Sequence, residues 1–170
     1  MIRNILFIIV VFIFTGCFTK HPDLKTVNSV NLNKYLGTWY EIARYEHFFE
    51  KGCKNVTANY SLNDDNTLKV VNKCTKIDTN KKSSATGIAY ATNESNSKLK
   101  VSFFRPFYGD YWILMLDDSY KYAVVGTPSR EYLWILSRTS KLDKNTLNRI
   151  LEKLPKLGFA TNKLIWTIQE

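Results

Sequence analysis

Between Gly37 and Ser137 the chain alternates short runs of β-branched and aromatic residues with clusters of Asn, Asp, Ser and Gly. Such runs read as strands and such clusters as the turns between them. The pattern predicts eight strands, near Gly37–Tyr45, Asn55–Leu62, Thr67–Lys76, Ala85–Thr92, Leu99–Arg105, Tyr111–Leu116, Tyr122–Thr127 and Tyr132–Ser137. A short turn at 31–36 precedes them. The period then changes: Leu147, Ile150, Leu151 and Leu154 fall at helical spacing. Ser140 or Asp143 is placed to cap the start of that helix, and Pro155 and Gly158 to end it. A last strand is expected over 163–168. Eight antiparallel strands in hairpin succession, then one helix and a short strand, suggest an up-and-down barrel or a sandwich. Several strands are apolar on both faces; Tyr111-Trp-Ile-Leu-Met-Leu116 has no polar alternation beyond the Tyr hydroxyl. One face then lines the interior, and the other needs the helix or a second copy of the chain to cover it. A homodimer is therefore one expectation.

The second and third strands flank the turn Asn63-Asp-Asp-Asn66. Folding the hairpin there brings Cys53 and Cys74 together at its open end, about two residues out of register, a mismatch a bulge can absorb. A structural disulfide is expected. Neither cysteine has another cysteine nearby, and His47 alone cannot complete a metal or catalytic thiol site.

The N-terminus carries a different signal. Arg3 is the only charge in the first nineteen residues, and Ile5 to Phe14 is wholly apolar. A basic start and a ten-residue apolar core describe a secretory signal peptide, too short to span a bilayer as a mature helix. Phe14-Thr-Gly-Cys17 resembles a bacterial lipobox, with Phe14 where Leu is usual. The resemblance implies that residues 1–16 are removed and that Cys17 becomes the diacylated N-terminus, a membrane anchor of more than one chain. Residues 17–30 then read as lipidated terminus and tether, and 31–170 as the folded domain. No Asp follows Cys17 to hold the protein at an inner membrane, so the expected destination in a cell with two membranes is the outer one.

Charge narrows the functions. The chain has 24 Lys and Arg against 15 Asp and Glu, a net charge of +9. The cations are scattered in ones and twos, which describes a solvated basic surface and not a nucleic-acid groove. The only histidines are His21 and His47. No nucleophile elbow, HExxH or phosphate loop occurs, and Asp64-Asp65 and Asp117-Asp118 sit in turns. No catalytic residue, metal or cofactor is assigned.

The order of elements, together with Asn33-Lys-Tyr-Leu-Gly37-Thr-Trp39-Tyr-Glu-Ile-Ala-Arg44, resembles the lipocalins. Gly37 and Trp39 match the family's first signature, and Arg138, after Tyr132-Leu-Trp-Ile-Leu-Ser137, matches its third. Tyr122-Ala-Val-Val-Gly126-Thr-Pro-Ser-Arg130 stands where the second belongs. The likeness extends from about Leu32 to the C-terminus and is nearest to bacterial outer-membrane lipocalins and the apolipoprotein D group. It implies an eight-stranded β-barrel whose narrow end is closed by Arg138 stacked on Trp39.

A barrel of this size can hold one small ligand. Phe48 and Phe49 in the first loop, Pro106-Phe107-Tyr108 in a later one, and Trp112 are the expected ligand contacts. Lys51, Lys54 and Arg105 are expected to hold a carboxylate or phosphate. A fatty acid or lysophospholipid is the expected ligand. An envelope interaction scaffold and a lipid-modifying enzyme stay open as alternatives.

Overall fold

The computed structural model describes residues 22–170. The expected signal peptide, His21 and Cys17 lie outside them. Eight antiparallel strands close into a barrel: β1 (Gly37–Tyr45), β2 (Cys53–Leu62), β3 (Leu68–Lys76), β4 (Lys82–Ala91), β5 (Lys98–Phe104), β6 (Phe107–Leu116), β7 (Tyr122–Gly126) and β8 (Leu133–Ser137). Each pairs with the next, and β1 joins β8 to β2. A short strand β9 (Leu164–Trp166) pairs with the second half of β1, while the first half, Gly37 to Tyr40, pairs with β2. Closure leaves none of the eight strands with a free edge along its whole length.

Among the described residues two α-helices complete the fold. Helix α1 (Leu32–Tyr35) is capped by Asn31, whose side chain accepts from the Lys34 amide. Helix α2 (Lys144–Lys153) is capped by Asp143, which accepts from the Thr146 amide at 2.9 Å. It ends in a 3₁₀ turn, Pro155–Leu157, and a left-handed Gly158 at φ 85°.

Residues 22–30, expected to be a tether, have no regular structure yet lie against the barrel. Leu24 and Val30 are buried, and the amides of Val27 and Val30 bond the carbonyls of Ile113 and Ser95. Apolar residues at these two positions outweigh the polar composition of the stretch.

The core has two parts. Inside the barrel lie Tyr35, Trp39, Leu68, Ile113, Val125 and Leu136 among others. Between the barrel wall and α2 lie Leu114, Val124, Leu133, Ile135, Ile150 and Phe159. Alternation along β7 and β8 divides Ala123 and Val125 from Val124, and Leu136 from Ile135. The α2 layer therefore covers the second apolar face that the sequence left unassigned. Gly126 makes close approach possible: a Cβ there would stand 2.8 Å from the Phe159 ring and 3.0 Å from Leu114.

The hairpin of β2 and β3 carries the Cys53–Cys74 disulfide, with Cα atoms 5.6 Å apart. Cys53 lies opposite Lys76, and the register shifts between Lys54 and Thr57. Asn55, at φ 53°, is the irregular residue in that shift.

Candidate functional site

The inward faces of the strands enclose a cavity of about 670 Å³ open at one end. Val56, Ala58, Val70, Val101, Phe103 and Leu136 supply much of an apolar wall. The closed end is sealed by stacking: the Arg138 guanidinium lies 3.8 Å from the centre of the Trp39 ring. Its nitrogens donate to the carbonyls of Thr38 at 2.9 Å and Lys34 at 2.8 Å, which ties β1 and α1 to the end of β8.

Tyr60 and Tyr111 border the bottom of the cavity, and Tyr35 bonds Tyr111 from behind it. Tyr60 donates to the Tyr111 hydroxyl at 2.8 Å, and Tyr35 and Tyr111 share a second bond of 2.8 Å. Burial pushes all three pKa values above the ordinary phenol value, so they stay neutral and the floor carries no charge.

One wall is charged. A bulge in β1 between Glu41 and Ala43 breaks the alternation, so Ile42 and Ala43 both pack toward α2. Glu41 and Arg44, three apart, consequently meet on the opposite face at 2.8 Å. Arg44 also donates to the Glu50 carbonyl at 3.0 Å, and Thr167 beyond β9 donates to the Glu41 carboxyl. His47 Nε2 lies 3.1 Å from Glu50 Oε2. Glu41, Arg44, His47 and Glu50 are all buried, and both carboxyls border the cavity. Burial, and then repulsion from Glu50, push Glu41 up to about 8. Glu50 is also pushed up by burial, but its contact with His47, a hydrogen bond with Glu41 and the Arg44 charge together leave it below its ordinary value. Glu41 therefore holds the proton and Glu50 the charge, offset by Arg44.

The expected contacts divide. Phe48, Phe49, Phe107 and Tyr108 line the open end. Phe107 and Tyr108 do so from the start of β6, because β5 and β6 are joined at Arg105-Pro106 alone and Phe104 faces Phe107 across the turn. Trp112 does not line the cavity. It points outward toward the α2 layer, with Lys98 Nζ 4.1 Å from its ring centre, because Tyr111 and Ile113 take the inward positions of β6. Arg105 is exposed at the tip of its turn and Lys51 in its loop, both outside the lining. Lys54 also lies outside it and pairs with Glu170 at 2.7 Å. Among the described residues Lys73 is the cation that borders the cavity. Sequence reasoning missed Lys73, Glu41, Glu50, Asn72 and Phe104. For β3 a signal existed: Val70, Asn72 and Cys74 alternate, and an inward Cys74 fixes the parity.

Asp65 and Asp117 are turn residues. Asp65 accepts from the Thr67 amide at 3.0 Å, and Asp117 from Ser119 at 3.0 Å. Among the described residues no cluster of side chains has the composition of a metal site, and no helix is long and apolar enough to cross a membrane.

Comparison with known proteins agrees with this geometry. Residues 30–169 match the model of the lipocalin-like domain. The chain is 44% identical over 161 residues to outer membrane lipoprotein Blc of Citrobacter freundii, covering 93% of this chain and 91% of that one. It is 41% identical over 170 residues to the Blc of Vibrio cholerae, covering 99% of each. Apolipoprotein D of Cavia porcellus is 30% identical, over 89% of this chain and 84% of its own. Among solved structures, insecticyanin of Manduca sexta superposes with a TM-score of 0.70 at 22% identity, covering 86% of this chain and 84% of that one. Likeness to outer-membrane lipoproteins along nearly the whole chain assigns the protein to the cell envelope, anchored by lipid at the outer membrane. The chain belongs to the lipocalin family.

Proposed function

We propose that the protein binds a single-chain amphiphile, a fatty acid or lysophospholipid, in its barrel and carries or stores it at the envelope. The observation that supports this is the cavity itself: about 670 Å³, walled largely by apolar side chains and open at one end. That size lies inside the range typical of small-molecule sites. An acyl chain of about sixteen carbons gains on the order of 12 kcal/mol from burial. This offsets an association cost of roughly 4–15 kcal/mol. The tail lies along Val56, Val70, Val101 and Leu136, and an anionic head meets Lys73 at the mouth. Cys17 is the site of lipid attachment. Burial and one ion contact suffice for binding, and no catalytic step or cofactor is invoked. A homodimer is not required to cover the second apolar face, since α2 covers it.

Titration with a fluorescent fatty acid, following Trp quenching, tests the reading. Saturable one-to-one binding is expected. Lys73→Gln should weaken an anionic fatty acid by roughly 1.5- to fivefold, the range of an exposed ion contact, and leave its methyl ester unchanged. Absence of saturable binding rejects the carrier reading and favours an interaction scaffold.

A further inference from the structure

The two ends of the barrel differ in ways that binding a ligand inside does not require. Phe48 is 86%, Phe104 75% and Phe107 71% exposed, all at the open end. Single exposed apolar residues are ordinary; three phenylalanines this bare around one opening mark a contact surface. Cations surround them in the loops of the same end: Lys51, Lys81, Lys82 and Arg105 are all exposed. The exposed acids of those loops are Glu46, Asp78 and Glu131. The hairpin turns at the closed end carry Asp64, Asp65, Glu94, Asp117 and Asp118 against Lys121, with Lys34 of α1 exposed at the same end and Arg138 stacked on Trp39.

The path of the chain adds an independent constraint. Arg130 lies in the loop between β7 and β8, whose Thr127, Pro128 and Ser129 border the mouth. Its guanidinium donates to the Pro22 carbonyl. The described chain thus begins at the open end and runs along the barrel to α1 at the closed one. Pro22, the first described residue, lies on the mouth side.

We propose that the open end of the barrel docks on the surface of an anionic lipid bilayer. Phe48, Phe104 and Phe107 enter the interfacial layer, where aromatic rings are favoured. Lys51, Lys81, Lys82 and Arg105 meet lipid phosphates. Docked in this way, the cavity opens onto the membrane, and an amphiphile moves between bilayer and barrel without crossing water. The aromatic rim and the charge asymmetry do not depend on the proposed anchor at Cys17, and whether the cavity is occupied is a separate quantity.

Residues 17–170 with Cys17→Ser contain the whole barrel and lack the anchor, so vesicle co-sedimentation reads docking alone. Binding to vesicles of phosphatidylglycerol and phosphatidylcholine is expected, and much weaker binding to phosphatidylcholine. Lys81→Glu/Lys82→Glu should lower the anionic-vesicle affinity at least tenfold, while Lys69→Glu/Lys121→Glu, the same charge change near the closed end, should lower it less than twofold. Phe104→Trp should be quenched by brominated acyl chains, and Leu62→Trp at the other end should not. Equal losses in the two charge variants, or quenching at Leu62→Trp only, overturn the proposal. So does failure to bind anionic vesicles, or dimerisation in solution that the rim charge variant abolishes, which assigns the rim to a second copy. Fatty-acid titration of the same variants separates this outcome from failure of the cavity reading: docking lost with cavity binding intact rejects the docking surface alone.

Discussion

Opening the Cys53–Cys74 bond lets the β2–β3 hairpin separate freely once the chain unfolds, and the cost follows from the size of the loop. The cysteines are 21 residues apart. Chain entropy for a loop of this length gives about 3 kcal/mol at 25 °C. For a chain of this size a change of 1 kcal/mol moves Tm by roughly 2–4 °C, so reduction should lower Tm by about 6–12 °C. Cys53 is buried, and replacing it would mix loss of packing with loss of the crosslink. The cleaner assay compares oxidised wild type with the same protein in a strong thiol or phosphine reductant, by circular dichroism and by urea unfolding. Free thiols are counted before and after to establish that the bond is formed and then opened. A Tm change below about 2 °C, with complete reduction demonstrated, would refute the entropic account. It would mean that the hairpin stays closed in the unfolded ensemble.

Gly126→Ala places a methyl 2.8 Å from Phe159 and 3.0 Å from Leu114. It should destabilise the fold by about 1–3 kcal/mol, and an unchanged urea midpoint would show that the α2 layer yields freely. Arg138→Ala removes the guanidinium from Trp39 and leaves the Thr38 and Lys34 carbonyls without their donor. It should cost at least about 2 kcal/mol and speed hydrogen exchange in α1 above that in β6. Equal acceleration in both would contradict a local seal. Glu41, raised from 4.5 to about 8 by burial and by Glu50, favours the folded state in its protonated form. That contribution is complete below 4.5 and is lost as pH rises through about 8. Glu41→Gln fixes the neutral form, so wild-type stability should fall relative to the variant between those values. Parallel pH profiles would remove the proton from Glu41.

Most of the barrel was legible because strands are local patterns. Alternation and turn clusters located all eight, and α2 followed from four leucines and isoleucines at helical spacing with a capping Asp143. Boundaries slipped where polar residues sit in strands. β4 starts at Lys82 and not at Ala85, because Lys82, Ser83 and Ser84 pair with Thr75, Cys74 and Lys73 in that order. β6 starts at Phe107, four residues before Tyr111, since the turn before it needs only Arg105 and Pro106. Site residues were harder to read. In Tyr111–Leu116 every position is compatible with either face, so Trp112 could be placed inside only by guesswork, and a one-residue change of parity puts it outside. The Glu41–Arg44 pair was invisible for a related reason: strict alternation puts them on opposite faces, and the bulge that unites them leaves no mark in composition. Lys73 was hidden among scattered lysines, and the alternation that turns Val70, Asn72 and Cys74 inward gives no sign that it borders the cavity.

The central claim is that the barrel holds an acyl chain, and the direct test is to look for one. The protein, purified from the envelope of its own host in mild detergent, is extracted under native conditions, and the lipid is quantified by mass spectrometry against protein. A fatty acid or lysophospholipid near one equivalent per barrel, lowered in a variant with Val101→Glu in the apolar wall, is the predicted result. A barrel with no bound lipid, which also fails to take up a fluorescent fatty acid in saturable fashion, would contradict it.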